Sequence, residues 1–130
     1  MTNTSVRAKV GANDEILIPG LTIGGTAPRT VLIRVAGPAL TGFGVGGALA
    51  APVLKLYSGS QELATNSSWT AAPNLVELRA ASISTGAFAF AEGSKDCALL
   101  VTLMPGGYTI QVSGANASTG VALVEVYEAP

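Results

Sequence analysis

Histidine is absent from all 130 residues, and cysteine occurs once. The first absence removes Ser-His-Asp and Cys-His nucleophile arrangements, and imidazole metal sites with them. The second rules out an internal disulfide. Cys97 opens the apolar run Cys97-Ala-Leu-Leu-Val101, so it reads as a small core hydrophobe rather than a reactive thiol. Charge is scarce as well. Lys, Arg, Asp and Glu make up 12% of the chain, against about 25% in ordinary globular domains, and the net charge is −1. The seven basic residues are scattered from Arg7 to Lys95, whereas phosphate neutralisation needs them clustered; nucleic acid is excluded as a partner.

Long apolar runs are also missing, although the mean hydropathy is positive. Val31-Leu-Ile33 and Cys97–Val101 fall far short of the roughly 20 residues a spanning helix needs, so no membrane insertion is expected. No signal peptide is visible at Met1-Thr-Asn-Thr4. Export would therefore imply a mature domain or another signal.

What is present is a succession of short strands. Ser5–Val10, Glu15–Ile23 (broken at Pro19-Gly20), Thr30–Ala36, Val53–Tyr57, Glu62–Asn66, Ala98–Leu103, Tyr108–Ser113 and Val121–Tyr127 are strand candidates, with Gly, Pro and Asn between them. Eight such strands predict an all-β fold, an antiparallel β-sandwich of jelly-roll-like form, built as one domain over residues 1–130. Asn74–Ala87 carries the one helical pattern, started by Pro73-Asn74 and stopped by Gly86. Gly37–Ala51 is a long Gly/Ala-rich connection, of the kind that packs as an Ω-like flap or carries function.

Mid-strand charges are Arg34, Lys55 and Glu125. They read as a cross-strand ion-pair cluster on a solvent-facing side of the sandwich. The carboxylate pairs close in sequence are Asp14 with Glu15 and Glu92 with Asp96. Glycoside hydrolysis needs two acids facing across a cleft, and three Tyr, three Phe and one Trp are thin material for a sugar platform. Gly42-Phe-Gly44-Val-Gly46-Gly47, with Glu62 further on, has a dinucleotide-turn spacing but lacks the following helix. Calcium is the one ion that the turn Asn13-Asp14-Glu15 or the strand end Asn66 suggests, and these offer fewer oxygens than the six to eight calcium takes. Asn3, Asn66 and Asn116 match the N-glycosylation pattern, which arises often in a Ser/Thr-rich chain. Trp69 reads as a lid on the core before it reads as a sugar-stacking ring.

Several stretches together carry a resemblance. Ser5-Val-Arg-Ala-Lys-Val-Gly11, Val31-Leu-Ile-Arg-Val-Ala-Gly-Pro-Ala-Leu40, Gly93-Ser-Lys-Asp-Cys-Ala-Leu-Leu-Val-Thr-Leu103 and Gly120-Val-Ala-Leu-Val-Glu-Val-Tyr127 are among them. Over nearly its whole length the chain resembles a β-sandwich module of large secreted or cell-surface bacterial proteins. More distantly it is similar to pre-peptidase C-terminal domains, through Leu56-Tyr57, Ala64-Thr-Asn66 and Pro105-Gly-Gly-Tyr108. That second likeness implies a jelly-roll-like sandwich, in some members binding calcium or polysaccharide. Ser58, Ser67 and Ser68 stand where acidic residues are usual in those domains, which weakens a calcium site.

The expectation is thus a non-catalytic, extracellular or cell-surface structural module without a cofactor. Its partners would be copies of itself or neighbouring domains, joined by strand pairing through Ser5, Val6, Arg7, Ala8, Lys9 and Val10, within a segment that begins at Thr2. The alternative is a polysaccharide-binding module using Tyr57, Trp69 and the Gly37–Ala51 loop. An enzyme is not expected.

Overall fold

The computed structural model describes residues 3–129, apart from the side chains of Asn3 and Asp14. Thr2, where the expected pairing segment begins, and the Asp14 side chain of the acidic turn lie outside the described residues. In chain order the strands are β1 (Asn3–Val10), β2 (Gly20–Ile23), β3 (Arg29–Ala36), β4 (Pro52–Ser58) and β5 (Gln61–Asn66). The helix α1 (Leu75–Ser84) follows, then β6 (Cys97–Leu103), β7 (Gly106–Gly114) and β8 (Gly120–Glu128). They form two four-stranded antiparallel sheets, ordered β1-β8-β3-β6 and β2-β7-β4-β5. The chain changes sheet at every connection except the β4–β5 hairpin, so the two layers are stitched together as in a jelly roll.

Alternation in sequence becomes alternation in burial. Leu54 and Leu56 of β4 face Val31, Ile33 and Val35 of β3 across a core completed by Leu99, Ile110, Val112, Val124 and Val126. Each such side chain taken fully from water contributes about 2 kcal/mol. The apolar run of β3 is continuous because both of its faces are covered. Leu32 points away from the inter-sheet core into a second cluster with Trp69, Leu78 and Ala98, roofed by α1.

One connection differs from the sequence reading, and a second takes the flap form that the reading offered. Glu15–Ile23 is not one strand: Asn13, with φ of 58°, turns the chain through a short helical turn, and Gly11 N–H bonds Glu15 O. Pro19 then withholds a donor, so only Gly20–Ile23 pairs fully, Leu17 touching β7 by a single bridge to Val112. Gly37–Ala51 packs down as a flap. It buries Leu40 and Leu49 and is pinned by Leu49 N–H to Val121 O and Val121 N–H to Gly47 O, both 2.8 Å. Gly37 is required there, since a Cβ would lie 2.3 Å from Leu49 O. The Gly42–Gly47 stretch therefore serves the flap, with Gly44 ending a short helical turn at φ 79°.

The two edges of the sandwich are unlike. On the β5–β6 side, Asn66 is buried, accepts Ala98 N–H at 3.1 Å and donates to Ser68 O at 2.9 Å, closing the gap between the sheets. On the β1–β2 side the sheets part, and β1 has no strand on its outer edge among the described residues.

Candidate functional site

The six residues singled out for strand pairing lie together on β1. Register with β8 sets their direction: Val6 opposes Val124, Ala8 opposes Ala122 and Val10 opposes Gly120, on the face toward the core. Ser5, Arg7 and Lys9 take the opposite face and are exposed. Val10 is fully buried, but Val6 remains 44% exposed. The reason is the parting of the sheets, which leaves an apolar cleft of about 250 Å³ lined by Val6, Pro19, Leu21, Ile110, Val124 and Val126.

A second constellation lies on the outer face of β8-β3-β6. Arg34 of β3 is only 1% exposed and is paired in register with Glu125 of β8, Nη1 standing 3.4 Å from Oε1. Its Nη2 donates to Phe88 O, and its guanidinium lies 3.8 Å from the Phe90 ring centre and 4.7 Å from that of Phe88. Tyr127 donates to Glu125 Oε2 at 2.7 Å. Burial pulls the Arg34 pKa below its usual range, opposed by Glu125, while burial and then the Glu125 carboxylate push the Tyr127 phenol up to about 12. Phe43, Phe88, Phe90 and Trp69, which are all the Phe and Trp of the chain, form one ladder with ring centres 5.0, 5.6 and 6.4 Å apart, the two Phe pairs edge to face and Trp69 tilted against Phe90. Beside it a cavity of about 220 Å³ opens between α1 and the 87–92 segment, its lip held by a two-point ion pair of Arg79 with Glu92 at 2.6 and 2.8 Å.

This corrects the reading of the mid-strand charges. Lys55 and Glu125 belong to different sheets and form no cluster. Lys55 pairs with Glu62, 3.5 Å away on the outer face of β4–β5, while Glu125 is buried with Arg34. The Phe88-Ala-Phe90 roof went unread. Its signal was a single base inside the apolar run Thr30–Ala36 and a single acid inside Val121–Tyr127, since a charge in a doubly covered strand requires a buried partner.

Tyr57 and Trp69 are not brought together. Tyr57 is half-buried on the outer face of β4, and Trp69 is 6% exposed beneath α1 on the other side of the sandwich, its indole N–H bonded to Ala91 O at 3.0 Å. Of the carboxylates weighed for catalysis, Glu92 is spent on Arg79, and Asp96 is a buried anchor accepting Gly37 N–H at 2.8 Å and Ala39 N–H at 3.1 Å. No group of three or more His, Cys, Asp or Glu side chains is placed to hold a metal among the described residues. Asn66 and the turn at Asn13–Glu15 lie at opposite edges of the sandwich. Cys97 is buried with its Sγ 3.2 Å from Pro52 O, and burial raises its pKa to about 12, so it stays a thiol.

No family model matches the sequence, and no curated protein matches it. Among solved structures the chain is similar to the pre-peptidase C-terminal domain of a collagenase from Bacillus anthracis, at a TM-score of 0.56 and 12% identity, over 96% of this chain and 89% of that one. The chain thus shares the fold of that domain, as the Leu56-Tyr57 and Pro105–Tyr108 stretches imply.

Proposed function

We propose that the chain is a non-catalytic module of an exported or cell-surface protein, and that it joins neighbouring domains or copies of itself through the outer edge of β1. The observation that carries this reading is that edge, eight residues long from Asn3 to Val10 and, among the described residues, paired on one side only, by β8. Unpaired backbone donors and acceptors in a row accept another strand at little cost. The residue inventory agrees. The chain has no histidine, its one thiol is buried, and Glu125, Glu62, Glu92 and Asp96 are held by Arg34, Lys55, Arg79 and backbone amides. The fold neighbour is itself a domain of a collagenase rather than the whole enzyme. No cofactor is needed for this role, and removing metal with EDTA should leave the melting temperature within about a degree of its starting value.

Amide hydrogen exchange tests the proposal. In the isolated chain the outward-facing β1 amides exchange fast, and in the assembled exported protein they become protected. Equal, fast exchange in both would sink the reading.

A further inference from the structure

We infer that the β1 edge is built to receive an extended partner strand whose residues alternate acidic and apolar, and not the β1 of a second copy. The inference rests on β1 being the joining edge and names what joins there.

Two independent features of the edge define the partner. On the outer face, Arg7 and Lys9 are exposed, and neither has an ion-pair partner among the described residues. The charges facing this strand from its neighbour are no substitute: Glu125, across from Ser5, is buried with Arg34. Two residues of strand separate Arg7 from Lys9 by about 7 Å, the repeat of alternate residues on any added strand. A strand laid along β1 therefore presents one side chain to each base, and a carboxylate at both positions is the favourable choice. On the inner face, the same strand passes over the apolar cleft beside Val6, Leu21 and Val126. The residues between its acids point into that cleft and cover the exposed part of Val6, so they are apolar.

A second copy fits poorly. Antiparallel pairing of β1 with β1 centred on Ala8 sets Arg7 of one chain against Lys9 of the other, like charges that destabilise; in every other register the two bases still meet no acid, since β1 carries none. The other edges are no better. β2 is four residues long without an acid, and β5 carries one, Glu62, already 3.5 Å from Lys55. β6 is tied to the β5 end through Asn66. The partner is a strand of another domain or protein.

The test uses the intact chain and three short labelled peptides, alternating Glu with Val, Lys with Val and Thr with Val, titrated by fluorescence anisotropy. The Glu peptide is expected to bind about fivefold tighter than the Thr peptide, as two exposed charge pairs supply, with the Lys peptide weakest and the differences shrinking at high salt. The double variant R7E/K9E, altered only at exposed side chains, should reverse the order of the charged peptides. Equal binding of all three, or an order unchanged in R7E/K9E, overturns the acidic partner while leaving strand addition standing. A dimer of the intact chain with protected β1 amides overturns the exclusion of a second copy. Binding of polygalacturonate that is lost in R7E/K9E, with no peptide bound, would reassign the two bases to an acidic polysaccharide. If no peptide binds and β1 also stays unprotected in the assembled protein, the joining edge itself is wrong.

Discussion

Arg34 of β3 and Glu125 of β8 stand directly opposite each other and both are buried, Arg34 against the rings of Phe88 and Phe90 and Glu125 under the Tyr127 hydroxyl. Their nearest atoms are 3.4 Å apart without hydrogen-bond geometry, so the pair is held by charge and by its surroundings. Removing one partner leaves the other charged, desolvated and alone. Glu125→Ala should therefore destabilise the fold by about 3–5 kcal/mol, whereas the double change Arg34→Met with Glu125→Leu should recover most of that loss. Urea denaturation of both variants measures it. A single variant as stable as the parent would mean that the pair is solvated.

The same pair shows which features are local in the sequence and which depend on the fold. Strand positions were legible because period-two alternation and Gly/Pro punctuation are local, and β3, β4, β6, β7 and β8 fall within a residue or two of expectation. The helix was legible too, although it ends at Ser84 rather than near Ala87, where Thr85 and Gly86 cap it. Which charge meets which was not. Arg34 and Glu125 are far apart in the chain, and only the order β8-β3 brings them into one register, while Lys55 lies in the other sheet. The β1 edge was legible as a residue set, because it is one strand. Its cleft was not, because Pro19, Leu21 and Ile110 come from elsewhere in the chain.

Two groups make stability fall at high pH. The Tyr127 phenol is raised from 10.0 to about 12 by burial and by Glu125, and the Cys97 thiol from 9.0 to about 12 by burial. Both are neutral below those values, so the fold favours the protonated form. Their contribution is fully present below pH 9 and is lost as the pH rises from about 9 to 12, where the unfolded chain sheds these protons more readily than the folded one. Denaturation midpoints should be flat from pH 7 to 9 and then decline. Absorbance titration should show Tyr127 ionising late, a step that should vanish in Tyr127→Phe. A late step that persists in the variant would assign the shift to another tyrosine.

Asp96 holds the flap over residues 37–51. One of its oxygens accepts Gly37 N–H and Ala39 N–H, and the other accepts the Ser94 hydroxyl at 2.7 Å. Asp96→Ala strands two amides at a buried position, which costs about 2–4 kcal/mol. The loss should be local before it is global. Gly37 and Ala39 amides are expected to exchange faster by hydrogen-exchange mass spectrometry, while amides of β4 and β7 keep their protection. Uniform loss across all strands would show that the flap and the sandwich unfold as one unit.

Trp69 separates a structural ring from a sugar-binding one. It sits under α1 with Leu32, Leu78 and Ala98, its indole N–H is satisfied by Ala91 O, and the Arg79 guanidinium lies 4.8 Å from its ring centre. A stacking platform for a sugar must show a flat face to solvent, and this ring is 6% exposed with the Arg79 guanidinium over it. Trp69→Ala removes the largest side chain of that cluster and should cost about 3–5 kcal/mol, with the 220 Å³ cavity beside α1 growing into the space. Trp69→Phe keeps most of the packing and forfeits only the Ala91 bond, so its cost should be about 1–2 kcal/mol. As the only tryptophan, the ring also reports on itself: its emission should be blue-shifted in the folded protein and move to the red on unfolding. A glycan array run on the parent and on the well-folded Trp69→Phe variant completes the comparison. Selective loss of one polysaccharide in a variant of near-parental stability would make Trp69 a binding residue and displace the structural account of it.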